Sequence, residues 1–129
     1  AGIKVNMRLT SDLADCKIQD IQMIEILGTL FDNAIQDMIK SKCTHYLLFE
    51  VKKTDLGVMI SIGNPHEKIS THDLERMFEN GYSTKGENRG IGLYHLKQLV
   101  KKQEMELMVE NKCIADQNYI YFSVVIGEG

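Results

Sequence analysis

The run Gly81-Tyr-Ser-Thr-Lys-Gly-Glu-Asn-Arg-Gly-Ile-Gly-Leu93 gathers residue types that suit a phosphate. Gly81, Gly86, Gly90 and Gly92 let backbone N–H groups come close to a ligand. Lys85 offers a mobile point charge and Arg89 a planar fork of donors. Leu93, Leu96, Leu99 and Val100 follow at helical spacing, so the loop feeds a helix N-terminus, whose partial positive charge favours an anion. Taken alone, the run fits a solvated loop capping a helix equally well. Two phosphate loops are excluded. Glu87-Asn88 stands where a P-loop requires Lys followed by Ser or Thr, and Gly90-Ile-Gly92 lacks the third glycine of the dinucleotide fingerprint.

The chain that must position this loop has 129 residues, 43% hydrophobic and 26% charged, which predicts one globular domain over 1–129. A formal charge of −3 argues against nucleic acid as the main partner. Lys97, Lys101 and Lys102 read as the solvated, C-terminal side of a helix. Cys16, Cys43 and Cys113 lack the spacing of a zinc site and read as reduced thiols. No apolar run is long enough to span a membrane, so no direct insertion is expected. His45, His66, His72 and His95 show no metal spacing and read as structural or surface residues.

Period-two alternation predicts a strand from Ile3 to Leu9. From Ile18 to Ile39 the apolar positions Ile24, Leu27, Phe31, Ile35 and Met38 predict a mostly buried helix. Its polar stripe would run through Gln22, Glu25, Thr29, Asp32, Asn33, Gln36 and Lys40. Tyr46–Val51 and Val58–Ile62 read as a hairpin turning at Asp55-Leu-Gly57, with Asn64-Pro65 stopping its second strand. Ser70 or Thr71 would cap a short helix ending near Met77. A helix from Gly90 to about Lys102 and a closing pair, Glu104–Glu110 with Tyr119–Ile126, complete the chain. This order predicts an α+β sandwich: a mixed, mainly antiparallel sheet covered on one face by about three helices.

Three pieces, Leu30-Phe-Asp-Asn-Ala-Ile35, Ile60-Ser-Ile-Gly-Asn64 and the segment from Phe78 to Leu93, resemble in order and spacing the ATP-binding domain shared by DNA gyrase, the heat-shock chaperone, histidine kinases and mismatch-repair proteins. The likeness covers about Ile24 to Ile126 and implies a Bergerat-type fold with a Gly-rich ATP lid. Within that superfamily the lid wording is most similar to sensor histidine kinases of the peptide-pheromone, accessory-gene-regulator type. That implies a quorum-sensing setting and a cytoplasmic domain of a membrane-anchored sensor, cut from a longer chain.

The resemblance implies a role for each matching residue. Asn33 would bind Mg²⁺ bridging the phosphates, an arrangement that suits a hard cation taking oxygen ligands. Gln36 and Asp37, one turn on, would support metal waters or phosphates, although Asp37 also fits a solvated carboxylate. Asn64 stands where the family's aspartate recognises the adenine amine. It retains an acceptor but not the charge, so weaker ATP binding is expected. Phe78 would pack the lid base, Lys85 and Arg89 would clamp phosphates, and the N–H groups of Gly90, Ile91, Gly92 and Leu93 would cradle them. The lid, about Glu79 to Arg89, carries little that can bury apolar area and is expected to be mobile without ATP.

Thr29 occupies the position where ATP-hydrolysing members carry a glutamate, and a threonine cannot serve as a general base near neutral pH. The resemblance therefore implies phosphoryl transfer to an absent histidine rather than hydrolysis. The implied ligands are ATP and Mg²⁺; the implied partners are the dimerisation and phosphoacceptor helices of the same kinase and a response regulator. No catalytic residue is assigned within the chain, which is expected to be inactive alone. A nucleotide-responsive interaction module with a degenerate site and an anti-sigma-type serine kinase are the competing readings.

Overall fold

The alternation and helical periodicity resolve into five strands and three helices in the computed structural model, which describes residues 4–9, 20–40, 46–77, 89–103 and 105–127. In chain order they are β1 (Lys4–Leu9), α1 (Asp20–Lys40), β2 (Tyr46–Thr54), β3 (Gly57–Pro65), α2 (Thr71–Arg76), α3 (Arg89–Lys102), β4 (Glu106–Ile114) and β5 (Gln117–Ile126). The strands form one sheet ordered β1-β2-β3-β5-β4. β1 runs parallel to β2, as a crossover through α1 requires, and the remaining pairs are antiparallel. The fold is the expected mixed sheet with helices on one face.

Alternate strand residues face the helices. Leu47, Phe49 and Val51, Ile60 and Ile62, and Ile120, Phe122, Val124 and Ile126 are buried there with Leu96 and Val100 of α3. α1 contributes Met23, Ile26, Leu30, Ala34 and Met38 at helical spacing. The wide apolar arc read from the sequence is therefore rotated. Leu27, Phe31 and Ile35 only flank the core, and Ile24 is 69% exposed. The periodicity of a helix apolar nearly all round does not say which arc the sheet will cover. The sheet covers the arc containing Asn33 and Asp37, so Asn33 is buried apart from the exposed Glu25, Asp32 and Gln36 of the polar stripe.

Three boundaries also differ. β3 runs on past Ile62 and ends at Pro65, which still pairs opposite Tyr119. His66 N donates to Asn118 O at 3.0 Å. That makes Pro65–Tyr119 the intervening, non-hydrogen-bonded pair, so the missing proline N–H leaves no ladder bond unmade. β4 and β5 run on to a turn at Ala115 (φ 50°) and Asp116 (φ 66°). Two consecutive left-handed residues make a tight hairpin turn that Asn-Gly would have announced and Ala-Asp does not. Ser70 is the cap of α2, its hydroxyl accepting from Asp73 N at 3.2 Å. Gly57 keeps its expected turn: at φ 142° a Cβ would sit 2.2 Å from the Ile126 carbonyl oxygen, so no side chain fits.

Candidate functional site

The helix-facing layer is apolar except where α1 meets the end of β3. Asn33 and Asp37, four residues apart, share one side of α1 and are 9% and 2% exposed, whereas Gln36 lies on the exposed side. Asn64, 1% exposed, projects from β3 into the same layer. Its Nδ2 donates to Asp37 Oδ2 at 2.6 Å and approaches the Pro65 carbonyl oxygen at 3.2 Å. A charge-assisted bond of this length offsets the desolvation of a buried carboxylate. His66 Nε2 stands 3.5 Å from the other oxygen, Asp37 Oδ1. The imidazole Nδ1 lies 2.6 Å from the Glu67 carbonyl oxygen. A carbonyl only accepts, so Nδ1 carries a proton.

An asparagine network holds the segment after β3. Asn64 and Asn111 both pair with Ile120 in the sheet register, forming one cross-strand row. Asn111 Oδ1 accepts from Ile69 N at 3.0 Å while its Nδ2 donates to Ile69 O at 2.9 Å. Asn118 Nδ2 donates to His66 O at 3.0 Å and to Asn111 Oδ1 at 3.2 Å. His66 to Ile69 is thus tied to the β4–β5 hairpin at both ends, which fixes the imidazole beside Asp37. Sequence reasoning missed His66, Asn111 and Asn118. The available signal was the presence of Asn111 and Asn118, diagonal neighbours across β4 and β5, at positions whose alternation should be apolar.

A family model described as the GHKL domain matches residues 17–126. The chain belongs to the GHKL domain family. It is 33% identical over 82 residues to the sensor protein CitS of Bacillus subtilis (strain 168), a match covering 62% of this chain and 15% of that protein. Among solved structures, the nucleotide-free catalytic domain of histidine kinase ThkA superposes with TM-score 0.74 at 16% identity, covering 98% of this chain and 82% of that one. Full-length ShkA in complex with AMPPNP also gives 0.74, at 19% identity, covering 99% of this chain and 26% of that one. The GHKL domain here thus has the fold of histidine kinase catalytic domains.

Elsewhere in the GHKL domain, α3 starts at Arg89 and carries Gly90 to Leu93 in its opening turns, where backbone N–H groups lack intrahelical acceptors. Phe78 and Lys85 lie outside the described residues, as does the stretch on which lid mobility was expected, Arg89 excepted. Thr29 Oγ1 donates to the Glu25 carbonyl at 2.9 Å, so its hydroxyl serves its own helix. Glu25 Oε1 meets His95 Nε2 at 2.9 Å, pinning α1 to α3 through side chains that are both about half exposed. His72 is exposed and His45 lies outside the described residues.

No group of three or more His, Cys, Asp or Glu side chains converges on a metal position among the described residues. The donor set beside α1 is instead the neutral amide oxygen of Asn33, because both oxygens of Asp37, a turn away, already face Asn64 and His66. That set fits Mg²⁺, which keeps several waters and takes phosphate oxygens, better than a metal wanting a closed protein cage.

Proposed function

We propose that this GHKL domain binds Mg·ATP and delivers the γ-phosphate to a histidine on a separate dimerisation helix, as the catalytic half of a two-component sensor kinase. The observation that carries the reading is the buried Asn33–Asp37–Asn64 group, the polar break in the helix-facing layer. Such groups are retained in a core at a thermodynamic cost, and a ligand site is the reason this fold offers. In this reading Asn33 holds the metal; Asp37 and Asn64 belong to the base side of the nucleotide; Gln36 reaches it from the exposed rim. Phe78, Lys85 and Arg89 close over the phosphates, with the N–H groups of Gly90, Ile91, Gly92 and Leu93 as their cradle.

Bound Mg²⁺ would neutralise charge on the β- and γ-phosphates. The chain itself contributes positioning and donors rather than a base, because Thr29 is committed to its own helix and Glu25 to His95. ATP hydrolysis by the domain is therefore expected to be negligible. The match to a sensor protein supports a sensor setting, with a response regulator as downstream partner and a cytoplasmic position beneath a membrane anchor. The peptide-pheromone branch rests on the wording of residues 83–93. Among the described residues no helix is long and apolar enough to cross a membrane.

Titration with a non-hydrolysable ATP analogue, with and without Mg²⁺, tests binding. Radiolabelled ATP with a separately supplied phosphoacceptor hairpin tests transfer. Mg²⁺-dependent binding and label on the hairpin are expected; stable label on a histidine within this chain would refute the assignment.

A further inference from the structure

Asn64 has a determined amide orientation. Asp37 Oδ2 and the Pro65 carbonyl oxygen can only accept, and both face the same end of the side chain, at 2.6 Å and 3.2 Å. That end must be the NH₂ group. A flipped amide would press Oδ1 against a carboxylate in a layer where Asn64 is 1% exposed, with nothing to relieve the repulsion. Asp37 has little room to rotate away, because the His66 ring lies against its other oxygen, Nε2 at 3.5 Å, and His66 is itself held by Glu67 and Asn118. Both amide protons are thus used inside the protein. What Asn64 has left is its carbonyl oxygen Oδ1, which has no partner among the described residues.

The geometry points to Asp37 as a positioning residue that locks Asn64 into a pure acceptor, so that the site selects a purine with a 6-amino group over one with a 6-oxo group. This rests on the nucleotide reading above. A free asparagine is ambivalent: its amide can accept from an amine or, turned over, donate to a carbonyl. An asparagine whose donor end is tied to a buried carboxylate has lost the second option. It behaves toward a ligand as a neutral version of a carboxylate, accepting from an amine and opposing a carbonyl oxygen. Asp37 need not touch the nucleotide to do this.

The test is the ratio of Kd values for ITP and ATP, measured by calorimetry with Mg²⁺ on the whole chain. The wild type should prefer ATP by at least about tenfold, the size expected when one buried polar contact is replaced by an opposed pair. Asp37→Asn should bring the ratio down several-fold toward unity by gaining ITP affinity as well as losing ATP affinity, since the amide at 64 is then free to turn. The swapped variant Asp37→Asn/Asn64→Asp should restore the preference, the new carboxylate at 64 being an acceptor by nature.

Equal ATP and ITP affinity in the wild type overturns the inference and leaves the nucleotide site standing. A parallel loss of both affinities in Asp37→Asn overturns it in favour of a merely structural carboxylate. An unaltered ratio in that variant, or a swapped variant without preference, also overturns it. Should Asp37→Asn fail to fold, the swapped variant decides: a folded swap with ATP preference supports the lock, and any other result counts against it. A wild type that binds neither triphosphate removes the nucleotide reading itself and this inference with it.

Discussion

β3 carries two buried polar side chains three residues apart, Ser61 and Asn64, and they project to opposite faces of the sheet. Ser61 meets Ser123 across the β3–β5 pair, hydroxyl to hydroxyl at 2.8 Å, in a row where the two residues are direct register partners. That pair belongs to the sheet alone, and in the next row the Tyr121 ring lies over Gly63, where a Cβ would come within 2.8 Å of it. Asn64 instead reaches out of the sheet to a charged partner on α1. The serine pair is closed: two like groups satisfy one another and hold two strands together. The Asn64–Asp37 pair is open: it joins two layers and leaves an acceptor over. Burial and hydrogen bonding are common to both, so neither distinguishes a structural polar pair from a binding one. The unused valence does.

The largest effect that could break this distinction is at Asn33, on the open side. Asn33→Ala should abolish the Mg²⁺-dependent part of nucleotide affinity. The loss should be no smaller than the roughly 10–100-fold that removal of an outer-shell partner brings to metal sites. The truncated side chain gives up little apolar volume, so circular dichroism and melting should stay native. Calorimetry showing the same affinity gain on adding Mg²⁺ as in the wild type would show that the polar group on α1 is only a packing element.

Stability separates the two pairs next. Asp37→Ala strips Asn64 of a charged partner in a dry layer and should cost about 1.5–3 kcal/mol, whereas Ser61→Ala removes a neutral bond and should cost about 1 kcal/mol. Ser61→Ala/Ser123→Ala should be no worse than the single change, because a closed pair removed entirely leaves no orphan. Urea midpoints at constant m-value give these differences. A double serine variant markedly less stable than either single would mean that the pair does more than satisfy itself.

Most of this architecture could be read from the chain because it follows from periodicity. Ile120, Phe122, Val124 and Ile126 alternate as a half-buried strand must, and Ile26, Leu30, Ala34 and Met38 recur as a helix face must. What periodicity cannot supply is the rotation of α1 about its axis. Leu27, Phe31 and Ile35 were as eligible for the core as Ile26 and Leu30, and only the sheet decides among them. The site inherits that ambiguity: Asn33 and Asn64 were found from the ordered motifs, but whether Asp37 faced solvent or Asn64 depended on the same rotation. His66 was invisible for a different reason. Its contact with Asp37 spans 29 positions of chain and is set by Asn111 and Asn118, which no local pattern links to it.

The smallest effect concerns the open face, where the chemistry is that of tyrosine rather than carboxylate. The Tyr121 hydroxyl is pushed above its ordinary range, first by burial and then by the negative charge of Glu50 and by Tyr119, with Arg8 acting the other way. Tyr119 is raised as well, by burial and then by Tyr46. Folding therefore holds these phenolic protons more tightly than the unfolded chain does. The stabilisation is fully present below the unfolded value near 10 and is lost as pH rises through the folded values above it. Unfolding midpoints should fall from about pH 10 upward, and Tyr121→Phe, which has no proton to lose, should fall less steeply than the wild type over the same range. The Lys112 ammonium, 4.6 Å from the Tyr121 ring centre, contacts the ring face and should be retained by the phenylalanine variant. Parallel alkaline slopes for the two proteins would show that Tyr121 titrates alike in both states. In the groove of about 260 Å³ that it lines with Arg8, Tyr46 and Glu50, the phenol would then be as hydrated as in the unfolded chain.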